Sequence, residues 1–306
     1  MKLEVDAYFE TDLGAAYLGD AAELLQSVPD ESIQLIVTSP PYALQRPKEY
    51  DNVPPEEYVD WFMPFVHELH RVLCEDGSLV VNIGGSWNKG QPTRSVYPYA
   101  LMMQMTEVFH LAQDLYWFNS AQLPTPAEWV AVQRVRLKDA VEFLWWFSKT
   151  PYPKADNSCI LKPYSKSMKK LLQRGDYNEG PRPSGHDISQ GFATDNNGAI
   201  RPNFLLCGNT ASNGLYMRRC RELGIRPHPA RFPKPIPDLF VRFLTDEGDL
   251  VLDPFAGSCL TGAVAEALDR QWLCFDIVED YLLGGALRFD IDLTGGAVDD
   301  ADRVQS

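Results

Sequence analysis

Two kinds of apolar pattern alternate along the first half of the chain, short unbroken runs and broad helical stripes. Ser32 to Thr38 reads SIQLIVT, the β-branched run that a parallel strand buried on both faces requires. Ser78 to Ile83 is a second such run, closed by Gly84–Gly85. Between them, Pro54–Pro55–Glu56 opens a helix expected to reach about Leu73, because positions 58, 59, 61, 62, 65, 66, 69, 72 and 73 form one apolar face. Tyr17–Leu18–Gly19–Asp20 ends an earlier strand, and Ala21 to Ser27 forms a short helix. Ala100 to His110 predicts a helix and Leu115 to Phe118 a strand. The aromatic stretch Leu137 to Ser148 predicts a sheet-closing strand preceded by a helical turn, with Trp145 and Trp146 as packing residues. After Pro227 the pattern resumes: a helix over Pro237 to Leu244, a strand over Asp249 to Leu252, a helix over Thr261 to Leu268, and a strand over Gln271 to Phe275.

The middle differs. From Lys149 to about Arg226, prolines, glycines, asparagines and basic residues replace the periodic runs, which predicts a loop-rich insert. The expected organisation is therefore 1–148 and 227–306 as two parts of one α/β domain, with 149–226 set between them. Charge follows the same division. The formal net charge is −14, yet residues 134–242 hold 19 Lys+Arg against 9 Asp+Glu. A polyanion would be drawn to the middle of the chain and repelled by its flanks, although solvated surface charge partitioned by chance would look the same. No run of 18 apolar residues exists, and the N-terminus MKLEVDAYFE lacks a basic region followed by an apolar stretch. The six cysteines form no CxxC pair, so neither a zinc knuckle nor a disulfide framework is expected. A cytoplasmic location with no membrane partner is expected.

Two constellations carry chemistry. Asp253-Pro254-Phe255-Ala256-Gly257-Ser258 follows a strand and precedes a helix, and Asp276 closes the next strand. Strand, glycine turn, helix, strand and acid make up a βαβ nucleotide-site layout, in which free helix N–H groups face the turn. The spacing is neither GxGxxG nor GxxxxGK[ST], so an adenosine-bearing ligand without phosphates fits better than a dinucleotide or a nucleoside triphosphate. The second constellation is Thr38-Ser39-Pro40-Pro41-Tyr42, at the carboxyl end of a predicted central strand, where ligands of open α/β sheets bind. Consecutive prolines fix the turn and present carbonyl oxygens, Ser39 offers another acceptor, and Tyr42 a ring for stacking on a base. Such groups suit an exocyclic amine that is to be alkylated.

SPPY followed much later by DPFAGS…TG resembles the amino-methylating DNA methyltransferases. The stretches GDAAELL, TSPPYALQRPKEY, PEEYVDWF, GSLVVNIGG, YWFNSAQLP, RPSGHDI, HPARFPKPIP and DPFAGSCLTG look like the N4-cytosine methylases of type II restriction–modification systems, in the permuted order of the beta group. The likeness spans roughly residues 15–290. It implies a Rossmann-like α/β sheet with circularly permuted motifs and a DNA-recognition insert, and S-adenosylmethionine (SAM) as the cofactor. It also implies double-stranded DNA as substrate, a cognate restriction endonuclease as genetic partner, and action as a monomer without a metal. By the same likeness Ser39, Pro40, Pro41 and Tyr42 hold the flipped cytosine. The cofactor falls to Asp20, Thr38, His228, Arg231, Phe232, Asp253, Pro254, Phe255, Ala256, Gly257, Ser258 and Asp276. Cys259 and Leu260 stand where the family usually has Gly or Asn and then Thr, a departure that removes one hydroxyl. Ser39, where adenine enzymes usually carry Asp, points to cytosine, with adenine-N6 methylation as the alternative and a non-catalytic DNA-binding module as a remote one. Carbon-5 methylation normally uses a Pro-Cys turn, and no cysteine here follows a proline.

In the insert, a rigid turn is expected to present Arg182, Ser184, His186 and Asp187 for base reading, while Lys162, Lys166, Lys169 and Lys170 suit phosphates. Arg134, Arg136 and Lys138 alternate as a phosphate track or a solvated strand edge. His67 and His70 are expected at the surface.

Overall fold

The apolar runs become a sheet whose two faces are both covered. In the computed structural model, which describes residues 1–43, 53–174, 180–181, 183–185, 187–188, 194–210, 214–291 and 293, two compact units are distinguished: 1–155 with 203–306, and 156–202.

The larger unit begins with β1 (Phe9–Glu10), β2 (Gly14–Leu18), α1 (Ala21–Gln26) and β3 (Ile33–Thr38). Then come α2 (Tyr58–Val72), β4 (Leu73–Ile83), α3 (Tyr97–Met105), β5 (His110–Phe118) and β6 (Val141–Ser148). The smaller unit holds α4 (Lys166–Arg174) and the two-residue pair β7 (Gly180–Pro181) and β8 (Asp187–Ile188). The larger unit resumes with β9 (Phe204–Leu206), α5 (Leu215–Glu222), α6 (Pro235–Leu244), β10 (Leu250–Asp253), α7 (Leu260–Glu266), β11 (Gln271–Asp276) and α8 (Glu279–Ala286).

Among the described residues, the large sheet has the order β1-β2-β11-β10-β3-β4-β6-β5-β9. Strands β2, β11, β10, β3 and β4 run parallel, and β6 joins β4 antiparallel, Ser78 opposite Ser148 and Ile83 opposite Phe143. Alternation along the central strands feeds two cores. In β3, Ile36 faces one core with Phe62, Val66 and Leu69 of α2, and Leu35 and Val37 face the other with Phe240, Val241 and Leu244 of α6; an irregularity in register between Ile33 and Leu35 places Ile33 with Ile36. Trp145 and Trp146, expected as packing residues, lie one in each core, 1% and 8% exposed.

Several expected boundaries shift. The helix expected at Ala100–His110 runs from Tyr97 to Met105, with a proline in its first turn. The strand expected from Leu115 starts at His110. The helical turn placed just before β6 lies further upstream, as a π-helical turn at Glu128–Val132. Arg134, Arg136 and Lys138 therefore sit on no strand, and Arg136 is tied to Asp139 at 3.0 Å. The smaller unit is narrower than the insert expected at 149–226. Lys149 Nζ donates to the Leu73 carbonyl, β9 pairs parallel with β5, and α5 shares a small core with Leu283 and Leu287, so both ends of that stretch belong to the larger unit.

Candidate active site

The carboxyl ends of the parallel strands surround a cavity of about 770 Å³ in the larger unit. Its floor is built where β3 meets β10. The buried Asp253 accepts from Thr38 Oγ1 at 2.8 Å, from Thr261 Oγ1 at 2.7 Å and from the Phe255 N–H at 3.2 Å. Burial pushes the Asp253 carboxyl up to about 6, against the pull of those three hydrogen bonds. Thr38 and Asp253, expected to touch a cofactor, are 0% and 1% exposed and do not reach the cavity wall. They lock the strand ends together beneath it.

Above that floor, Pro254, Phe255, Ala256, Gly257 and Ser258 line the cavity. Gly257 has φ +52, and a Cβ there would lie 3.0 Å from the His228 ring. A glycine is needed on both counts. Asp276 Oδ2 accepts from the Gly257 N–H at 2.7 Å, and its Oδ1 accepts from the Val278 N–H at 2.8 Å. Burial raises this carboxyl to about 6 as well. Asp20 is the N-cap of α1, accepting from the Ala22 N–H at 2.7 Å, and also lines the cavity. His228, Arg231 and Phe232 line it too: the His228 ring meets Tyr281 edge-on at 4.4 Å, and Arg231 donates to the His228 carbonyl. Leu260 is on the wall, whereas its neighbour Cys259 is buried with φ +53.

Ser39, Pro40, Pro41 and Tyr42 form the other part of the wall. The Pro41 carbonyl is already taken by Tyr58 Oη at 2.8 Å, so it is not a free acceptor as the sequence suggested. Ser39 Oγ donates to Tyr42 Oη at 3.3 Å, and Tyr42 Oη lies 2.7 Å from Glu142 Oε2. Asn82 Nδ2 donates to the same Glu142 oxygen at 3.2 Å. The Tyr42 ring lies against Gly84, where a Cβ would come within 2.6 Å of it. Asn82, Glu142, Trp61 and Phe65 also line the cavity, and sequence reasoning missed all four. A signal existed for two of them. Asn82 in LVVNIGG and Glu142 in VEFLWWFS are polar residues set in apolar runs, at the strand ends that face the site.

The DNA-reading candidates are in the smaller unit. Lys166, Lys169 and Lys170 are exposed on α4, spaced i, i+3 and i+4, with Arg174 a turn further on. The sequence suggested an unframed run; the helix instead aligns them on one face. Lys162 is exposed, its backbone paired with Ala199. Ser184 is exposed and Asp187 belongs to β8, whereas Arg182 and His186 lie outside the described residues.

A mostly parallel sheet with a glycine turn and a paired acid at one side of its cavity, and a proline-locked Ser–Tyr turn at the other, has the layout that suits a nucleotide cofactor beside a planar amine. A family model described as DNA methylase matches residues 33–285. The type II methyltransferase M.PvuII of Proteus hauseri is 49% identical over 285 residues, covering 92% of this chain and 85% of that protein. The solved structure of PvuII DNA methyltransferase (cytosine-N4-specific) superposes with a TM-score of 0.78 at 40% identity, covering 98% of this chain and 92% of that one. A putative DNA modification methylase from Thermus thermophilus, solved in complex with S-adenosyl-L-methionine, matches with a TM-score of 0.54 at 18% identity over 93% of this chain and 98% of that one. The chain belongs to the DNA methylase family, and its fold is the Rossmann-like methyltransferase sheet with permuted motif order.

Proposed function

We propose that this protein transfers a methyl group from SAM to N4 of a cytosine flipped out of double-stranded DNA, within a restriction–modification system. The observation that carries this reading is Ser39, set on the wall of the cavity that Gly257 and Asp276 also line. The residues fit the cofactor. Gly257 leaves room at its turn that a Cβ would fill against His228, and Asp276, held by two backbone N–H groups, keeps lone pairs for two ribose hydroxyls. His228, Arg231 and Phe232 take the methionine end, and Asp20 lies at the adenosine end. When bound, SAM supplies an electrophilic methyl on a positively charged sulfur.

The chain's own residues then orient the base. Exocyclic N4 is conjugated and a poor nucleophile, so alignment matters most. Ser39 Oγ and the Pro40 carbonyl accept its hydrogens, favouring a more tetrahedral nitrogen with its lone pair aimed along the transfer path. Trp61, Phe65 and Phe255 pack on one another, with ring centroids 5.3–6.2 Å from Phe255, and keep water from one side of the cavity.

Lys162, Lys166, Lys169 and Lys170 contact phosphates, while Arg182, Ser184, His186 and Asp187 read bases. The enzyme acts as a monomer, and a cognate endonuclease cuts the unmethylated site. Nucleoside mass spectrometry on DNA treated with the purified protein tests the central claim. N4-methylcytosine is expected. Exclusive N6-methyladenine would move the protein to the alternative target, and 5-methylcytosine would overturn the mechanism.

A further inference from the structure

Once N4 gains a methyl group it must lose a proton, and neither hydroxyl beside it can keep one. Ser39 is an alcohol, and burial holds the Tyr42 phenol well above its ordinary range, so both can only pass a proton on. Three carboxylates line the cavity among the described residues: Asp20, Asp276 and Glu142. Asp20 accepts from the backbone of α1, and Asp276 from the backbone at Gly257 and Val278, where its remaining lone pairs are taken up by the ribose. Of the three, Glu142 is the one joined to the SPPY turn by side chains.

We propose that Glu142 is the terminal acceptor of the proton released by the target amino group, reached through Ser39 and Tyr42. The distances define the route. Ser39 Oγ donates to Tyr42 Oη at 3.3 Å, and the single Tyr42 hydrogen goes to Glu142 Oε2 at 2.7 Å in preference to Asn82 Oδ1 at 3.1 Å. As the nitrogen–methyl bond forms and the methyl–sulfur bond breaks, the N4 proton passes to Ser39 Oγ. The serine's proton passes to Tyr42 Oη, and the tyrosine's to Glu142. Ser39 and Tyr42 end as they began, and the neutral Glu142 returns its proton to water from the cavity wall.

Two further features fit the role. Asn82 fixes the acceptor, bridging the Glu142 carboxylate at 3.2 Å and the Phe143 carbonyl at 3.1 Å through its amide nitrogen. Burial also lifts the Glu142 carboxyl above the ordinary glutamate range, which makes its ionised form a stronger base.

The proposal rests on the amino-methylation reading. Glu142→Gln keeps the side chain's size and an acceptor for Tyr42 while removing the base. With SAM and duplex DNA saturating, its single-turnover rate is expected to fall by about 100-fold, while equilibrium binding of SAM and of DNA stays at the wild-type level. Because the route is serial, Glu142→Gln combined with Tyr42→Phe should be no slower than the slower single variant. Glu142→Asp, which retains a carboxylate, should recover part of the rate even if Glu142→Gln proves poorly folded. A wild-type rate in Glu142→Gln overturns the proposal, as do losses that multiply in the double variant or an Asp variant no faster than the Gln one. Wild-type protein that methylates no amino group would overturn the underlying reading as well, which distinguishes the two failures.

Discussion

The two sides of the cavity are held by different means. Around Asp253 and Asp276, the bonds run to backbone N–H groups and to threonines buried in the strand ends and in α7. Around Ser39 and Tyr42, they run from side chain to side chain, through Asn82 and Glu142. The cofactor side is thus part of the fold, and altering it should cost stability or SAM affinity. The base side is a network laid on the fold, and altering it should cost rate.

Asp253→Ala tests the first half of that contrast most severely. It leaves the Thr38 hydroxyl and the Phe255 N–H without their acceptor and the Thr261 hydroxyl with only the more distant Val37 carbonyl, so urea denaturation should show a loss of about 2–4 kcal/mol. Asp253→Asn can still accept from Thr38 and donate to Thr261, and should stay near wild type. If alanine is equally harmless, the floor is not a structural lock. Asp276→Ala should weaken SAM binding by about 2–3 kcal/mol, since a charge-assisted acceptor is lost. Tyr42→Ala should spare SAM affinity. Calorimetric titration of both variants separates the sides, and equal losses would erase the distinction.

A smaller effect comes from pH. Asp253 has a folded value of about 6 against an ordinary 3.8, so its contribution to stability is fully present below the lower value and is lost as pH rises through the upper one. Between pH 5 and pH 7 this amounts to about 1 kcal/mol favouring the lower pH. Wild type should therefore lose stability relative to Asp253→Asn as pH rises through that range, and parallel curves would refute the assignment. The smallest effect lies in the smaller unit. Neutralising Lys169 and Lys170 together should weaken binding to all duplexes alike and reduce the salt slope by about 1–2 units. A loss confined to one sequence would mean that these lysines read bases.

Legibility in the sequence followed the same division. The glycine turn, its flanking strands and Asp276 could be read because each depends on neighbours within about two dozen positions. The SPPY turn could be read for its residue types. Its partners stood out as polar residues in apolar strands, but their meeting did not: Asn82 comes from β4 and Glu142 from β6, and the antiparallel pairing that joins them leaves no local mark. The roles of Thr38 and Asp253 were misplaced for the same reason, because a carboxylate on the wall and one beneath it look alike until the depth of each is known. Strand β9 was hidden by the prolines and asparagines around it, since its pairing with β5 is supplied from outside.

The position of β11 bears on how the protein is made. It is the last of the described strands to be synthesised, yet it lies between β2, among the first, and β10. Until residues 271–276 have left the ribosome, the opening hairpin has no neighbour to pair with and the sheet remains interrupted. Translation at roughly 5–20 residues per second puts on the order of ten seconds or more between the emergence of Ser39 and that of Asp276. Throughout that interval the nascent chain displays the base-holding turn without the acid that orders Gly257. Methyl transfer therefore switches on only after Asp276 has emerged, and nascent chains arrested before Gln271 should show no SAM binding.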